Sequence, residues 1–360
     1  MKLRLVAVAC ALAFLAAFPA TAQQASSMPL ARMPGQKGGT DDTGPYTVVA
    51  NWYKPLQEGF LDRGSAVFAE SPNRIFFTTD RRFSLERGAV KTQEPHHAIQ
   101  VIDGNGKLIE EWTQWESMLD MPHFITESPY DPEKAVWVIS REGQQIFKFS
   151  NDGKKLLMTL GEKGVTASDK THFGRPSSMA FLPDGSFYVA DGYANRRVMK
   201  FDKDGKYLFE FGGVGSGPGQ FAAQGEVHAI AIDAQRRVYV GDRGNRRVQI
   251  FDENGKFLDE WDGIQGPSDI KITADGSAWV TSGVGNRLAK YDTKTGRLIT
   301  YWGMFGTAPG MIDRPHFISV DSQGNLYVAQ WNLTKSGIDK YVPRLDADPA
   351  RLVGQPLVLK

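Results

Sequence analysis

Residues 177–206 read S-S-M-A-F-L-P-D-G-S-F-Y-V-A-D-G-Y-A-N-R-R-V-M-K-F-D-K-D-G-K, and residues 228–256 repeat the plan as H-A-I-A-I-D-A-Q-R-R-V-Y-V-G-D-R-G-N-R-R-V-Q-I-F-D-E-N-G-K. Each stretch holds an alternating strand, a tight turn, a second alternating strand, a polar loop and a third strand ending in F-D-x-x-G-K. A fourth strand follows, such as F-L-D-E-W at 257–261. Alternation of apolar and polar residues suits a half-buried strand, and Asp-Gly or Asn-Gly turns join such strands into antiparallel hairpins. Four short antiparallel strands make one propeller blade.

The unit recurs at intervals of about 50 residues, the sequence mark of a propeller or solenoid. Units start at Ser65, His123, Ser177, His228, Ser268 and His316, the first of them degenerate. The expected fold is therefore all-β, a six-bladed β-propeller over residues 46–360. A propeller must also pair its two chain ends, because an open ring leaves unpaired edges. Either the strand near Tyr46–Trp52 or the tail after Val342 would do so.

Composition agrees with a folded chain. Of 360 residues, 41% are hydrophobic and 23% charged, enough for a sizeable core. With 42 Lys+Arg against 41 Asp+Glu, scattered along the chain, there is no field to gather nucleic acid, and a nucleic-acid partner is not expected.

The first 22 residues read as a secretory signal: Lys2 and Arg4, an apolar run from Leu5 to Phe18, then Ala20-Thr21-Ala22 for cleavage. Residues 23–45, rich in Gly, Ser, Pro and Asp, read as a flexible leader. The expected mature chain is secreted or periplasmic, a monomer, and free of the membrane once the signal is removed. Its one cysteine, Cys10, lies in the signal, so the fold must hold without disulfides, and thiol catalysis and Cys-ligated zinc are excluded.

The opening residues of the six units alternate strictly between Ser and His. Alternate blades are about 120° apart around a six-bladed ring, so His123, His228 and His316 can converge on the axis. Three imidazoles with one open position suit catalytic zinc, although ligand type leaves iron, copper or another divalent metal open. His96, His97 and His172 fall in connecting segments and read as loop residues. D-K-D-G-K at 202 and D-E-N-G-K at 252 lack the spacing of calcium loops and read as hairpin turns, and the glycine-rich run 212–220 lacks the Lys-Ser/Thr of a phosphate loop. Asn332-Leu333-Thr334 matches a glycosylation sequon.

The segment from Val189 to Phe201, and again from Val240 to Phe251, resembles the V-x-D-x-x-N-x-R-V-x-x-F signature of NHL repeats, whose propellers serve both as enzymes and as binding platforms. M-P-H-F-I at 121, E-V-H-A-I at 226, R-P-H-F-I at 314, H-F-G-R-P at 172, D-G-Y-A-N at 191 and D-R-G-N-R at 242 resemble the catalytic domain of peptidyl-α-hydroxyglycine α-amidating lyase. That resemblance implies zinc on His123, His228 and His316, Tyr193 as base and Arg243 in the site. It also implies a first-blade arginine binding substrate, Arg81 or alternatively Arg82. The implied reaction splits the C–N bond of a peptidyl-α-hydroxyglycine carbinolamide into an amide and glyoxylate, so the partner is a peptide or small molecule.

Residue chemistry suits these roles. A phenol whose pKa is lowered by a metal and an arginine can take the carbinol proton, and guanidinium forks match a carboxylate. The chain departs from the resemblance at the third histidine, where Arg314 replaces methionine and Phe317 replaces an aspartate contributing to a structural calcium site. That puts the calcium in doubt and adds Arg314 to the substrate-binding residues. Two alternatives stay open from sequence: a zinc hydrolase on the same scaffold, and a non-catalytic propeller that binds a peptide, glycan or envelope partner.

Overall fold

The computed structural model describes residues 43–54, 60–84, 92–93, 98–331 and 337–360. The signal, nearly all of the leader, His96, His97 and the sequon at 332–334 lie outside the described residues. Among the described residues there is no α-helix, only strands and two short 3-10 turns.

Six antiparallel sheets are present, each contributing one blade. The first strands of the blades are Phe60–Ser71, Pro122–Glu127, Pro176–Phe181, Val227–Ile232, Pro267–Ile272 and Pro315–Val320. They contact one another in sequence and the last meets the first, so they line the central channel. Blades 2 to 5 then run outward in chain order through three further strands. Blade 1 carries an extra two-stranded pairing, Thr92–Gln93 against Arg74–Ser84.

Closure uses the N-terminal alternative. Tyr46–Val48 forms the outermost strand of blade 6, with Tyr46 opposite Pro343 and Val48 opposite Tyr341. The tail instead runs under the ring, the Val353 N–H donating to the Tyr46 hydroxyl (2.8 Å), Leu357 N–H to the Ile272 carbonyl (2.9 Å) and Leu359 N–H to the Tyr130 hydroxyl (2.9 Å).

The repeat signature has a physical reason. In blade 3 the buried Asp191 carboxylate accepts from Gly174 N (2.6 Å), Asn195 Nδ2 (2.8 Å) and Arg197 Nε (2.9 Å), and Arg197 goes on to Glu210 (2.8 Å) and the His172 carbonyl (2.9 Å). Blade 4 repeats this with Asp242, Asn245, Arg247 and Glu260. A buried carboxylate is tolerated only when it is paired and hydrogen-bonded, and here its partners tie each blade to the incoming connector. The F-D-x-x-G-K stretches are turns: the Asp202 side chain accepts from Asp204 N and Lys206 N, and Gly205 takes φ 81°.

Candidate metal centre and cavity

The innermost strands begin at one face of the ring, and the site lies there. Met121, Arg175 and Arg314 precede the prolines that open three of these strands and take left-handed φ values of 56°, 61° and 52°. Such backbone costs energy in a residue with a side chain and is kept where surrounding structure holds it. It sets the next residues, His123, Ser177 and His316, at the channel mouth.

There the alternation of Ser and His becomes a hydrogen-bonded ring. His123 Nδ1 donates to the Ser177 carbonyl (2.8 Å), His228 Nδ1 to the Ser268 carbonyl (2.6 Å) and His316 Nδ1 to the Ser65 carbonyl (2.6 Å). A carbonyl can only accept, so each Nδ1 carries the proton and each Nε2 presents a lone pair. These lone pairs converge: the three ring nitrogens lie within 4.8 Å of one another, with His316 Nε2 and His228 Nε2 3.0 Å apart. Burial, the largest cause in each case, holds all three imidazoles neutral, His123 and His228 well below the ordinary 6.5 and His316 at about 3.

This donor set fits a metal ion. Two lone pairs facing at 3.0 Å repel unless a cation lies between them, and burial with nearby Arg243 opposes a proton in that place. Carbonyls behind metal-binding imidazoles, fixing ring and tautomer, are the usual support of such sites. Phe317, 1% exposed, is the floor, its ring 4.6 Å from His316 and stacked at 5.6 Å on His228. A phenyl ring offers no oxygen donor where the resemblance has an aspartate.

Above the imidazoles stands a second ring built from residues one or two places after the second strands of blades 2 to 6, each donating its N–H back across the mouth. Arg141 donates to the Met121 carbonyl (3.1 Å), Tyr193 to Arg175 (3.2 Å), Arg243 to Glu226 (2.9 Å), Gly283 to Gly266 (2.9 Å) and Trp331 to Arg314 (3.0 Å). The Tyr193 hydroxyl lies 3.1 Å from His123 Nε2, 3.0 Å from His228 Nε2 and 3.5 Å from Arg243 Nη1. Arg141 lies over the Tyr193 ring at 4.3 Å and 5.6 Å from that of Trp331, which Arg63 covers at 4.0 Å. Guanidinium groups laid flat on aromatic faces are held in place by them, and here they are pinned further by carboxylates, Arg141 by Glu142 and Arg63 by Asp80.

These residues line a cavity of about 780 Å³, of ligand-pocket size, together with Val284, Phe305, Arg314 and His316. Tyr193 and Arg243, predicted from sequence, thus meet the three histidines, and Arg314 lies on the wall. The phenol differs from expectation: the chain's own groups hold its pKa above 10, burial outweighing the lowering by Arg243 and Arg141. Arg81 and Arg82 are on the strand Arg74–Ser84, but their side chains lie outside the described residues. The first-blade arginine seen in the cavity is Arg63, opposite Arg81 in the hairpin and paired with the buried Asp80 (Nε to Oδ1, 2.6 Å). Arg141 and Trp331 were not predicted, yet I-S-R at 139 and A-Q-W at 329 occupy the repeat position of Tyr193 and Arg243. His172 stays in its connector, its Nδ1 2.8 Å from Asp169.

Six blades around a histidine-lined mouth, five of them four-stranded and the first with one extra short strand, define a propeller of the NHL kind, and comparison with known proteins agrees. A family profile described as a 6-bladed beta-propeller matches residues 165–262. Human NHL repeat-containing protein 3 is 30% identical over 245 residues, covering 64% of this chain and 69% of its own length. The chain belongs to this family of NHL repeat-containing propellers. A probable peptidyl-α-hydroxyglycine α-amidating lyase of Caenorhabditis elegans is 31% identical over 132 residues, which are 37% of this chain and 35% of the nematode protein. The chain thus spans about a third of that relative. A streptogramin B lyase structure shares the fold, with TM-score 0.52, 12% identity and coverage of 83% of this chain and 97% of that one.

Proposed function

We propose that the chain is an exported, metal-dependent lyase that cleaves the C–N bond of a peptidyl-α-hydroxyglycine-like carbinolamide, yielding an amide and glyoxylate. The observation that carries this reading is the Tyr193 hydroxyl, set within 3.5 Å of two imidazole nitrogens and a guanidinium at the base of a ligand-sized cavity. A divalent ion on His123, His228 and His316, with zinc the first choice, would supply positive charge to polarise the substrate's hydroxyl and to counter the burial that raises the phenol's pKa.

The rest is done by the chain. Tyr193, as phenolate, takes the carbinol proton; the oxygen's electron pair forms the C=O of glyoxylate while the C–N pair leaves with the amide nitrogen. That nitrogen receives the proton back from Tyr193, so no net proton is consumed. Arg243, beside the phenol, holds the substrate carboxylate, with Arg141 across the ring as a second guanidinium. Phe317 closes the channel under the imidazoles, so substrate enters and products leave by the same mouth.

The test is product identity. Purified protein given an α-hydroxyglycine peptide should release glyoxylate and peptide amide in equal amounts; protein that holds the metal and releases neither would overturn the reading. The other reading, a binding platform stapled by a metal, draws on the coverage by a relative named only for its repeats.

A further inference from the structure

Among the five blades whose position in the ring above the imidazoles is described, one lacks a side chain there. Arg141, Tyr193, Arg243 and Trp331 carry large groups there, whereas blade 5 has Gly283. Packing accounts for the glycine: a Cβ would come 2.5 Å from Ser268 Oγ. The cavity wall is therefore low over blade 5. Just beyond it stand Val284 and Phe305, 66% and 64% exposed, both lining the cavity. Single exposed apolar residues are ordinary, but two on one wall of a ligand-sized cavity make a surface that water covers poorly. Blade 2, which bears Arg141, is half the ring away from blade 5. Arg141 thus faces Val284 and Phe305 across the cavity, while Arg243 on blade 4 and Arg314 at the start of blade 6 flank them.

We infer that blade 5 is the specificity wall: the peptide N-terminal to the reacting amide leaves the cavity over Gly283, and the side chain next to that amide is apolar and packs on Val284 and Phe305. The direction of the substrate comes from the lyase reading. With the glyoxylate carboxylate turned towards Arg141, half the ring from blade 5, the acyl group across the C–N bond points towards blade 5. The low wall gives the chain its exit, and the two exposed side chains give its last residue a partner.

The test uses two readouts on the metal-containing full chain. The first is calorimetric binding of unreactive acetylated amino-acid amides, which match the amide product, with phenylalanine, leucine, serine or aspartate as the residue. The second is turnover of the corresponding α-hydroxyglycine substrates. The phenylalanine and leucine amides should bind roughly tenfold more tightly than serine, the discrimination a partly open apolar surface gives. Replacing both exposed residues, Val284→Ser with Phe305→Ser, should abolish the preference, bringing the phenylalanine and leucine amides down to the affinity of the serine amide. Gly283→Val should weaken binding of longer peptide amides more than that of single-residue amides. Equal affinity for apolar and polar amides, absence of binding, or a preference that survives the double substitution would overturn the inference. Turnover without a preference removes the blade 5 wall and keeps the lyase; a preference without turnover keeps the wall and removes the lyase.

Discussion

His316 Nδ1 donates to the Ser65 carbonyl at 2.6 Å, joining the last blade to the first across 251 residues. One hydrogen bond therefore fixes the tautomer of a candidate ligand and spans the seam of the ring. The metal centre and the ring closure should fail together.

Cutting the chain after Val48 removes the closing strand and the buried Tyr46, whose loss alone should cost about 3–5 kcal/mol by analogy with other large core side chains. Against a control cut after Asp42, this truncation should lower both the thermal midpoint and the metal content. Unchanged metal content in a destabilised ring would uncouple the two.

If the imidazoles hold the ion, His123→Ala, His228→Ala and His316→Ala should each lower a content of about one metal per chain, and X-ray absorption should give nitrogen ligands at about 2.0–2.1 Å for zinc. Full occupancy in all three variants would place the ion elsewhere.

At the other end of the channel, Glu127 is pushed up to about 7, first by burial and then by neighbouring Glu70, against the partial relief of Lys134 and Arg74. The folded chain therefore keeps a proton that the unfolded chain releases near its ordinary 4.5, so stability should fall as pH rises from about 4.5 to about 7. Glu127→Gln should flatten that part of the pH profile in urea melts and leave the variant the more stable protein above pH 7. An unaltered slope would contradict the assignment.

Arg243→Lys keeps the charge beside Tyr193 but loses the planar fork, so it should raise KM for a substrate with a free carboxylate and do less to its carboxamide counterpart. An equal effect on both would mean that Arg243 does not hold the carboxylate.

Much of this was legible in the sequence because a propeller repeats its chemistry. The period gave the blades, and the alternation of Ser and His marked the residues that meet at the axis. Arg141 and Trp331 were missed because their repeat position holds Arg, Tyr, Arg, Gly and Trp, a variety that hides the equivalence until hydrogen bonds to Met121 and Arg314 reveal it. Arg63 was missed for a different reason: the first hairpin runs beyond the repeat, from Phe60 to Ser84, so counting from Ser65 passes over the strand that brings Arg63 to the cavity. The choice between the two chain ends for closure depended on long-range pairing, which local alternation does not encode.

The most direct measurement is glyoxylate release by wild type and Tyr193→Phe at matched metal content. The substitution removes only the hydroxyl between His123 and His228, so fold and metal should persist while turnover falls by about 10²–10⁴, the usual share of general acid–base catalysis. Equal glyoxylate release by the two proteins would contradict the account.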